Sequence, residues 1–286
     1  MIEHELLAFG LDDIVARALT EDVGGGDLTT EACIAPETQA SAAAVARSPM
    51  VACGWPVFEK VFKTLDPSLV VERVRDEGTS VPESGTLWTV RGKARSILMG
   101  ERVALNFIQR MVGIATMART YVDAVPAPLP GQPTTRIADT RKTTPGLRLL
   151  ERYAVRVGGA HNHRDNLGSA ILIKDNHIAA CGGIRAAIER ARARAPHTSR
   201  IECEVDSLDQ LDLALDAGAD IVLLDNMDDE TVREAVQRSR GRAVTEASGG
   251  ITVARIPALA RIGVDVISVG ALTHSVKAAD VGLDFV

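Results

Sequence analysis

From Arg136 onward, short apolar runs alternate with helix-length stretches, and this alternation constrains the fold more than any other feature of the chain. The runs are Arg136–Ala138, Ala170–Ile173, Ile201–Val205, Ile221–Leu224, Ala243–Glu246 and Val264–Val269. Helical spacing is read over Pro145–Val155, Ile184–Ala195, Leu208–Ala217, Asp229–Ser239 and Thr252–Ile262. Ser207 and Gln210 offer a capping box for one of these helices. Strands that alternate with helices predict a parallel sheet, and about six repeats favour a barrel or a doubly wound sheet.

The first part of the chain reads differently. A helix is expected over Glu5–Leu19, strands over Ala40–Arg47, Leu69–Arg75 and Thr86–Arg91, and one or two helices over Ile97–Val125. That is an α+β pattern. Between the two parts lies 126–133, PAPLPGQP, whose prolines and glycine sustain neither a helix nor an inner strand.

The polar residues that follow the later apolar runs carry the functional reading. Asp139, Thr140, Arg141 and Lys142 follow Ile137, and Lys174 follows Ile173. Glu204 stands near the end of IECEV and Asp225 after Leu223-Leu224. Ser248, Gly249 and Gly250 follow VTEA, and Gly270 and Ala271 follow ISV. In an α/β barrel the carboxyl ends of the strands converge on one mouth, so these groups are expected to line one cleft. The Ser-Gly-Gly and Gly-Ala loops, late in the chain and ahead of helical stretches, suit a phosphate. Glu204 and Asp225 can hold Mg²⁺, bind sugar hydroxyls or stabilise developing positive charge, or can each be an ion-pair partner. Glu202 shares a strand face with Glu204 and is a second candidate.

Charge distribution points the same way. The chain of 286 residues has a formal net charge of −6. Yet Asp139–His177 holds seven cations (Arg141, Lys142, Arg148, Arg152, Arg156, Arg164, Lys174) against the four carboxylates Asp139, Glu151, Asp165 and Asp175. A local cationic excess in an acidic protein fits a pocket for a small polyanion rather than a nucleic-acid surface, and 3% aromatics leave few stacking platforms. Apolar content of 46% and 24% charged residues are those of a globular domain. No apolar run is long enough to span a bilayer, and the N-terminus lacks the basic-then-apolar pattern of a secretory leader. Cys33, Cys53, Cys181 and Cys203 form no close pair, which fits free thiols in a reducing cytoplasm better than a zinc site.

Several residues keep alternative readings. Lys174 can be a Schiff-base nucleophile, a phosphate ligand or a salt-bridge partner. His161 and His163, at i and i+2 with no third ligand in view, fit hydrogen bonds to an anion better than a metal pair. His4 and His197 read as solvent-exposed. Arg148, Arg152 and Arg156 share a helical face that either serves the anion site or is simply solvated or ion-paired.

Nine ordered motifs then identify a resemblance over nearly the full length. They are EDVGGGDLTT (Glu21–Thr30), ERVALNFIQRMVGIAT (Glu101–Thr116), DTRKTTPGLRLLERYAVRVGG (Asp139–Gly159), NHRDNL (Asn162–Leu167), LIKDNHI (Leu172–Ile178), EVDSLDQ (Glu204–Gln210), LLDNM (Leu223–Met227), EASGGI (Glu246–Ile251) and VGALTHSVKAADVGLDF (Val269–Phe285). Together they resemble the quinolinate phosphoribosyltransferase family. The resemblance implies an N-terminal α/β sandwich domain over 1–125, joined by the tail 274–286, and an incomplete, TIM-like α/β barrel over 134–273. It implies transfer of phosphoribosyl from phosphoribosyl pyrophosphate to quinolinate with loss of CO₂, giving nicotinate mononucleotide for NAD synthesis, with Mg²⁺. It further implies a cytoplasmic homodimer with a shared active site, the choice between dimer and hexamer being left open, and no nucleic-acid or membrane partner.

By motif, Arg141, His163, Arg164 and Lys174 are expected to hold the quinolinate carboxylates, with Arg102 reaching in from the other subunit. Thr140 and Lys142 are expected to meet substrate or phosphoribosyl donor. Glu204 and Asp225 are assigned to the ribose hydroxyls and the metal. Ser248, Gly249 and Gly250, with Val269, Gly270 and Ala271, are assigned to the 5′-phosphate. Lys142, Glu204 and Asp225 form the expected catalytic set. Two positions depart from the family pattern: Val112 where a serine is usual, and Ala160 within a glycine run. The rival readings are a molybdenum-transport-associated relative of the same fold, a Schiff-base aldolase using Lys174, and a non-catalytic barrel.

Overall fold

The computed structural model describes residues 10–128 and 134–286. His4, the start of the expected first helix and the end of the proline segment lie outside the described residues. The chain forms two compact units. One comprises the chain up to Arg119 with Thr143–Gly159 and Leu272–Val286, the other Thr120–Lys142 with Ala160–Ala271.

The first unit is built on an antiparallel sheet. Strand β1 (Gln39–Ala46) lies between the C-terminal strand Val281–Phe285 and β5 (Thr86–Lys93), and β3 (Val70–Arg73) pairs with the far edge of β5. The short strands β2 (Met50–Val51) and β4 (Ser80–Val81) pair separately. Four of the chain's few aromatics gather here: Phe58 stacks obliquely on Trp88 at 5.3 Å, Trp55 meets Trp88 edge-on at 5.9 Å, and Phe62 meets Phe58 at 5.0 Å. Such pairs add to the burial of large apolar area.

Helices α1 (Leu11–Val23), α2 (Leu28–Cys33), α3 (Trp55–Leu65), α4 (Ala94–Asp123) and α5 (Arg148–Val157) complete the chain up to Val157. The stretch over Ile97–Val125 is one continuous helix, α4. The sequence reading assigns no element to Trp55–Leu65. Its cap explains why: Gly54 sits at φ 108°, and the Gly54 and Trp55 N–H groups donate to Glu77 Oε1 at 2.8 and 2.6 Å. With the side-chain cap supplied from a distant residue, Pro56 in the first turn is the one local start signal.

The arginines of α5 do not form a solvated face. Arg152 is buried, Arg148 and Arg156 are half-buried, and the buried Glu151 accepts from Arg110 at 2.8 Å. Val112, which stands where a serine is usual, is fully buried on α4 beside Gly113. A Cβ at Gly113 would lie 2.4 Å from the Lys277 carbonyl oxygen.

The second unit is a six-stranded, wholly parallel sheet. Its strands are β6 (Arg136–Ala138), β7 (Ile171–Ile173), β8 (Ile201–Val205), β9 (Ile221–Asp225), β10 (Val244–Ser248) and β11 (Val266–Ser268), ordered β6-β11-β10-β9-β8-β7. Helices α6 (Asp175–Cys181), α7 (Ile184–Arg194), α8 (Leu208–Asp216), α9 (Asp229–Ser239) and α10 (Ile256–Ile262) connect them. This is the expected incomplete barrel, with β6 and β7 ending the sheet.

Local side-chain caps start two of the helices read from sequence. Asp228 accepts from Thr231 N at 2.8 Å at the start of α9. Ser207 accepts from Gln210 N at 3.4 Å, while the Gln210 side chain takes the Asp206 N–H at 3.1 Å, one residue earlier than in a full capping box. The stretch Thr252–Ile262 is divided: Val253–Arg255 is a 3₁₀ turn and α10 follows. Pro257 has no N–H to donate, so it is tolerated only in a first turn.

Candidate active site

Because all six strands run the same way, their carboxyl ends share one edge, and the following loops carry the polar residues. At the rim of this edge Lys174 Nζ is ion-paired with Glu204 Oε2. The side chain of Glu204 is 15% exposed and that of Lys174 44%. Lys174 leaves β7 at the start of α6, where its N–H donates to His177 Nδ1 at 2.9 Å. This helix is absent from the sequence reading, because its start is capped by a histidine rather than a Ser or Asp. On the next strand Asp225 accepts from Asn226 Nδ2 at 2.8 Å.

The loop after β10 abuts the loop after β9. Asn226 adopts φ 55°, and its N–H donates to the Ser248 carbonyl at 3.0 Å. Gly249 sits at φ 86°, where a Cβ would lie 2.3 Å from Asn226 Oδ1, so only glycine fits. A Cβ at Gly250 would meet nothing within 4 Å, which leaves its backbone approachable. Val269 N donates to the Ala138 carbonyl at 2.9 Å, tying the end of β11 to β6. Thr140 Oγ1 accepts from Lys142 N at 3.2 Å, and the Lys142 side chain is exposed.

Below the rim lies a second charged group. Glu202 and Glu246 are each 4% exposed, on β8 and β10. His163 Nε2 is 3.3 Å from Glu202 Oε2 and 3.4 Å from Glu246 Oε1. Burial works against charge on His163, but the two carboxylates outweigh it and push the ring up to about 10. A second contact acts in the opposite sense, since His163 Nδ1 accepts the Arg164 N–H at 2.8 Å. That amide opposes a proton on Nδ1. Both contacts agree on Nε2, which keeps its proton. Burial raises Glu202, with the hydrogen bond from His163 opposing it. Arg164 is lowered by burial and by repulsion from Arg141, with Glu202 compensating in part. Arg141 and Arg164 therefore lie close enough to repel, an arrangement that an anion between them would relieve.

Asp139 organises the loop that bears His163. It is fully buried, and its carboxylate accepts from Asn162 Nδ2 and from His163 N, both at 2.7 Å. His161 differs from His163: the residue is exposed at the surface, yet its ring is partly desolvated, and this desolvation together with repulsion from Arg136 lowers it. Among the described residues, His163 but not His161 belongs to a group of ligand atoms close enough to hold a metal ion. Cys203, between the two β8 glutamates, is fully buried, and burial with the nearby Glu204 and Glu202 pushes its thiol up to about 11.

The second unit thus brings together Arg141, His163, Arg164, Lys174, Glu204, Asp225 and the Ser248–Gly250 loop. Arg102 lies exposed on α4 in the first unit. Sequence reasoning left out Glu246 as a site residue, and it expected Asp139 to line the cleft, whereas Asp139 is fully buried beneath the His163 loop. The signal available for Glu246 was a carboxylate in the middle of a buried parallel strand, where charge is costly without a partner.

Residues 114–284 match the family model described as the C-terminal domain of quinolinate phosphoribosyl transferase, and residues 27–112 match that of its N-terminal domain. The chain belongs to the quinolinate phosphoribosyltransferase family. Among its relatives is the probable nicotinate-nucleotide pyrophosphorylase [carboxylating] of Bacillus subtilis, 44% identical over 274 residues, covering 96% of this chain and 93% of that one. The nicotinate-nucleotide pyrophosphorylase [carboxylating] of Mycobacterium leprae is 44% identical over 280 residues, covering 95% and 96%. The crystal structure of the nicotinate-nucleotide pyrophosphorylase from Ehrlichia chaffeensis superposes with a TM-score of 0.91 at 38% identity, covering 98% of this chain and all of that one (100%). Within this family the transport-associated reading is not favoured.

Proposed function

We propose that this quinolinate phosphoribosyltransferase family member transfers the phosphoribosyl group of phosphoribosyl pyrophosphate to quinolinate and releases pyrophosphate and CO₂, giving nicotinate mononucleotide. The observation that carries the reading is the cationic set Arg141, Arg164 and Lys174 at one edge of the parallel sheet, beside Glu204 and Asp225. A dicarboxylate requires several fixed cations, and Arg adds a planar fork to match each carboxylate.

The pyridine nitrogen attacks C1 of the ribose as the bond to pyrophosphate breaks, and the leaving group takes the electron pair. Positive charge develops on the ribose, where Glu204 and Asp225 stabilise it. Lys142 neutralises charge on the departing pyrophosphate. No protein nucleophile is needed, so Lys174 acts as a cation rather than a Schiff base. Orientation of the two substrates supplies much of the acceleration. Loss of the adjacent carboxylate as CO₂ leaves an electron pair on the ring carbon, which the new pyridinium stabilises until a proton is added. Ser248–Gly250 and Val269–Ala271 cradle the 5′-phosphate, and Thr140 contacts substrate.

Hard carboxylate oxygens on neighbouring strands suit Mg²⁺, so Glu204 and Asp225 are the residues assigned to it together with substrate oxygens. When bound, Mg²⁺ offsets charge on the pyrophosphate. The exposed Arg102 supports a homodimer in which a second copy contributes this cation to the site. The cytoplasm is the compartment proposed, on four free cysteines. Among the described residues no helix is long and apolar enough to cross a membrane.

The test is to mix the purified protein with quinolinate, phosphoribosyl pyrophosphate and Mg²⁺, and to detect nicotinate mononucleotide by mass spectrometry. Nicotinate replaces quinolinate in the control. Product from quinolinate alone is expected. No product from the folded protein would overturn the assignment.

A further inference from the structure

Asp225 ends β9 at the rim of the sheet, half-buried, where the steps above ask it to stabilise charge that develops on the ribose. A carboxylate does this from a fixed position, because the gain comes from charges oriented before the reaction begins. Its neighbour on β8, Glu204, is held by the ion pair with Lys174. Asp225 is held differently. Among the described residues it has no ion pair, and its carboxylate takes one hydrogen bond, from Asn226 Nδ2 to Oδ2 at 2.8 Å.

A bond between these two side chains requires a particular backbone. In a strand, successive side chains point to opposite faces, so the residue after Asp225 would carry its side chain to the far side of the sheet. The chain turns back instead. Asn226 takes φ 55°, and among the described residues only Ser84 joins it as a non-glycine residue at positive φ. Asparagine tolerates this region because its short polar side chain hydrogen-bonds locally. The neighbouring strand fixes the turn: Asn226 N donates to the Ser248 carbonyl at 3.0 Å, just beyond the register pair of Ser248 and Asp225. Gly249 closes it, since a Cβ there would lie 2.3 Å from Asn226 Oδ1 and 2.6 Å from Cγ. The amide is therefore wedged, with its NH₂ on the carboxylate of Asp225 and its oxygen against the loop after β10.

We infer that Asn226 is a positioning residue: its amide holds Oδ2 of Asp225 and so presents Oδ1 to the ribose. The inference rests on the proposed reading of Asp225 as a stabiliser of developing charge. The left-handed backbone then has a purpose, since it brings an amide alongside the carboxylate that precedes it. A plain turn makes a different demand. It needs only the positive φ, which glycine meets without strain. One substitution therefore separates the two roles.

The experiment measures kcat, KM for each substrate and the thermal midpoint in the wild type, Asn226→Gly, Asn226→Asp, Asp225→Asn and the double variant of Asp225→Asn with Asn226→Gly. Asn226→Gly keeps the turn and removes the amide. Its kcat is expected to fall about tenfold, with KM for quinolinate within roughly twofold and a thermal midpoint close to wild type. Asn226→Asp keeps the shape and the tolerance of positive φ, but replaces the donor with a second carboxylate that repels the first. A larger fall in kcat is expected there, and this variant decides should Asn226→Gly not fold. On the Asp225→Asn background, where the charge to be positioned is gone, Asn226→Gly is expected to add less than about twofold. A wild-type kcat in either single variant at Asn226, or additive losses in the double variant, would overturn the inference. So would an effect confined to KM for phosphoribosyl pyrophosphate, which would assign the amide to the loop after β10 through Gly249. A wild type that forms no nicotinate mononucleotide would overturn the parent reading and the inference with it, whereas an active wild type with unaffected variants would overturn the inference alone.

Discussion

Two glutamates on one face of β8 lie two residues apart and live in different surroundings. Glu204 reaches the rim, is 15% exposed in its side chain, and is ion-paired with Lys174. Glu202 is 4% exposed and shares a half-buried histidine with Glu246. At the rim, water screens the charges and partners can be exchanged for substrate. In the interior a charge is kept only with a fixed partner, and removing that partner is costly. On the proposed reading, the difference separates groups that meet substrate from groups held inside the sheet. One strand serves both because its side chains alternate and every second residue descends into the barrel.

The rim carries the largest expected effects. Arg141→Ala or Lys174→Ala is expected to abolish measurable quinolinate binding, a loss of about 10²-fold or more, because the substrate's charge loses its partner. Calorimetric titration with quinolinate reads the loss, and a thermal midpoint close to wild type shows that the fold survives. Retained affinity in either variant would move the dicarboxylate elsewhere. Glu204→Gln keeps the shape and removes the charge, so kcat is expected to fall about 10²-fold while quinolinate affinity changes little. If KM alone moved, Glu204 would be a binding group rather than a stabiliser of developing charge.

The comparison also shows what the chain announced in advance. Lys174, Glu204 and Asp225 were legible because each follows an apolar run, and parallel strands place such residues at one edge whatever the details of packing. The barrel was legible for the same reason, helped by local caps such as Asp228 and Ser207. The interior trio was not. His163 lies in a loop after β6, and its partners stand on β8 and β10, so only the closure of the sheet brings them together. Helix α3 escaped for a parallel reason: its cap, Glu77, arrives from a later part of the chain. Pattern reveals what each residue does locally, and contacts between remote segments need the fold.

A smaller effect is expected at the loop after β10. Gly249→Ala forces a side chain into φ 86° and against Asn226. Strain of this kind costs about 1–3 kcal/mol. If the loop binds the 5′-phosphate, KM for phosphoribosyl pyrophosphate should rise roughly tenfold, with quinolinate affinity largely spared. A selective effect on quinolinate would place the phosphate elsewhere.

The interior supplies the subtlest test, the dependence of stability on pH. His163 is raised in the folded protein to about 10 from an ordinary 6.5, so the folded state holds its proton where the unfolded chain releases it. The stabilisation this brings is complete below pH 6.5 and declines as the pH rises towards 10. Glu202, also raised, works in the same sense from a lower starting pH, since it too binds its proton more tightly when folded. The Arg164 amide on Nδ1 opposes the second ring proton and limits the size of the change. The difference in thermal midpoint between wild type and His163→Gln, followed from pH 6.5 to 10, isolates the ring from other titrations. It should shrink as the pH rises. A constant difference for His163→Gln would mean that the ring stays neutral in the folded protein. The interior cluster would then bind through the single Nε2 proton alone, and the contrast with the rim would be one of geometry rather than of charge.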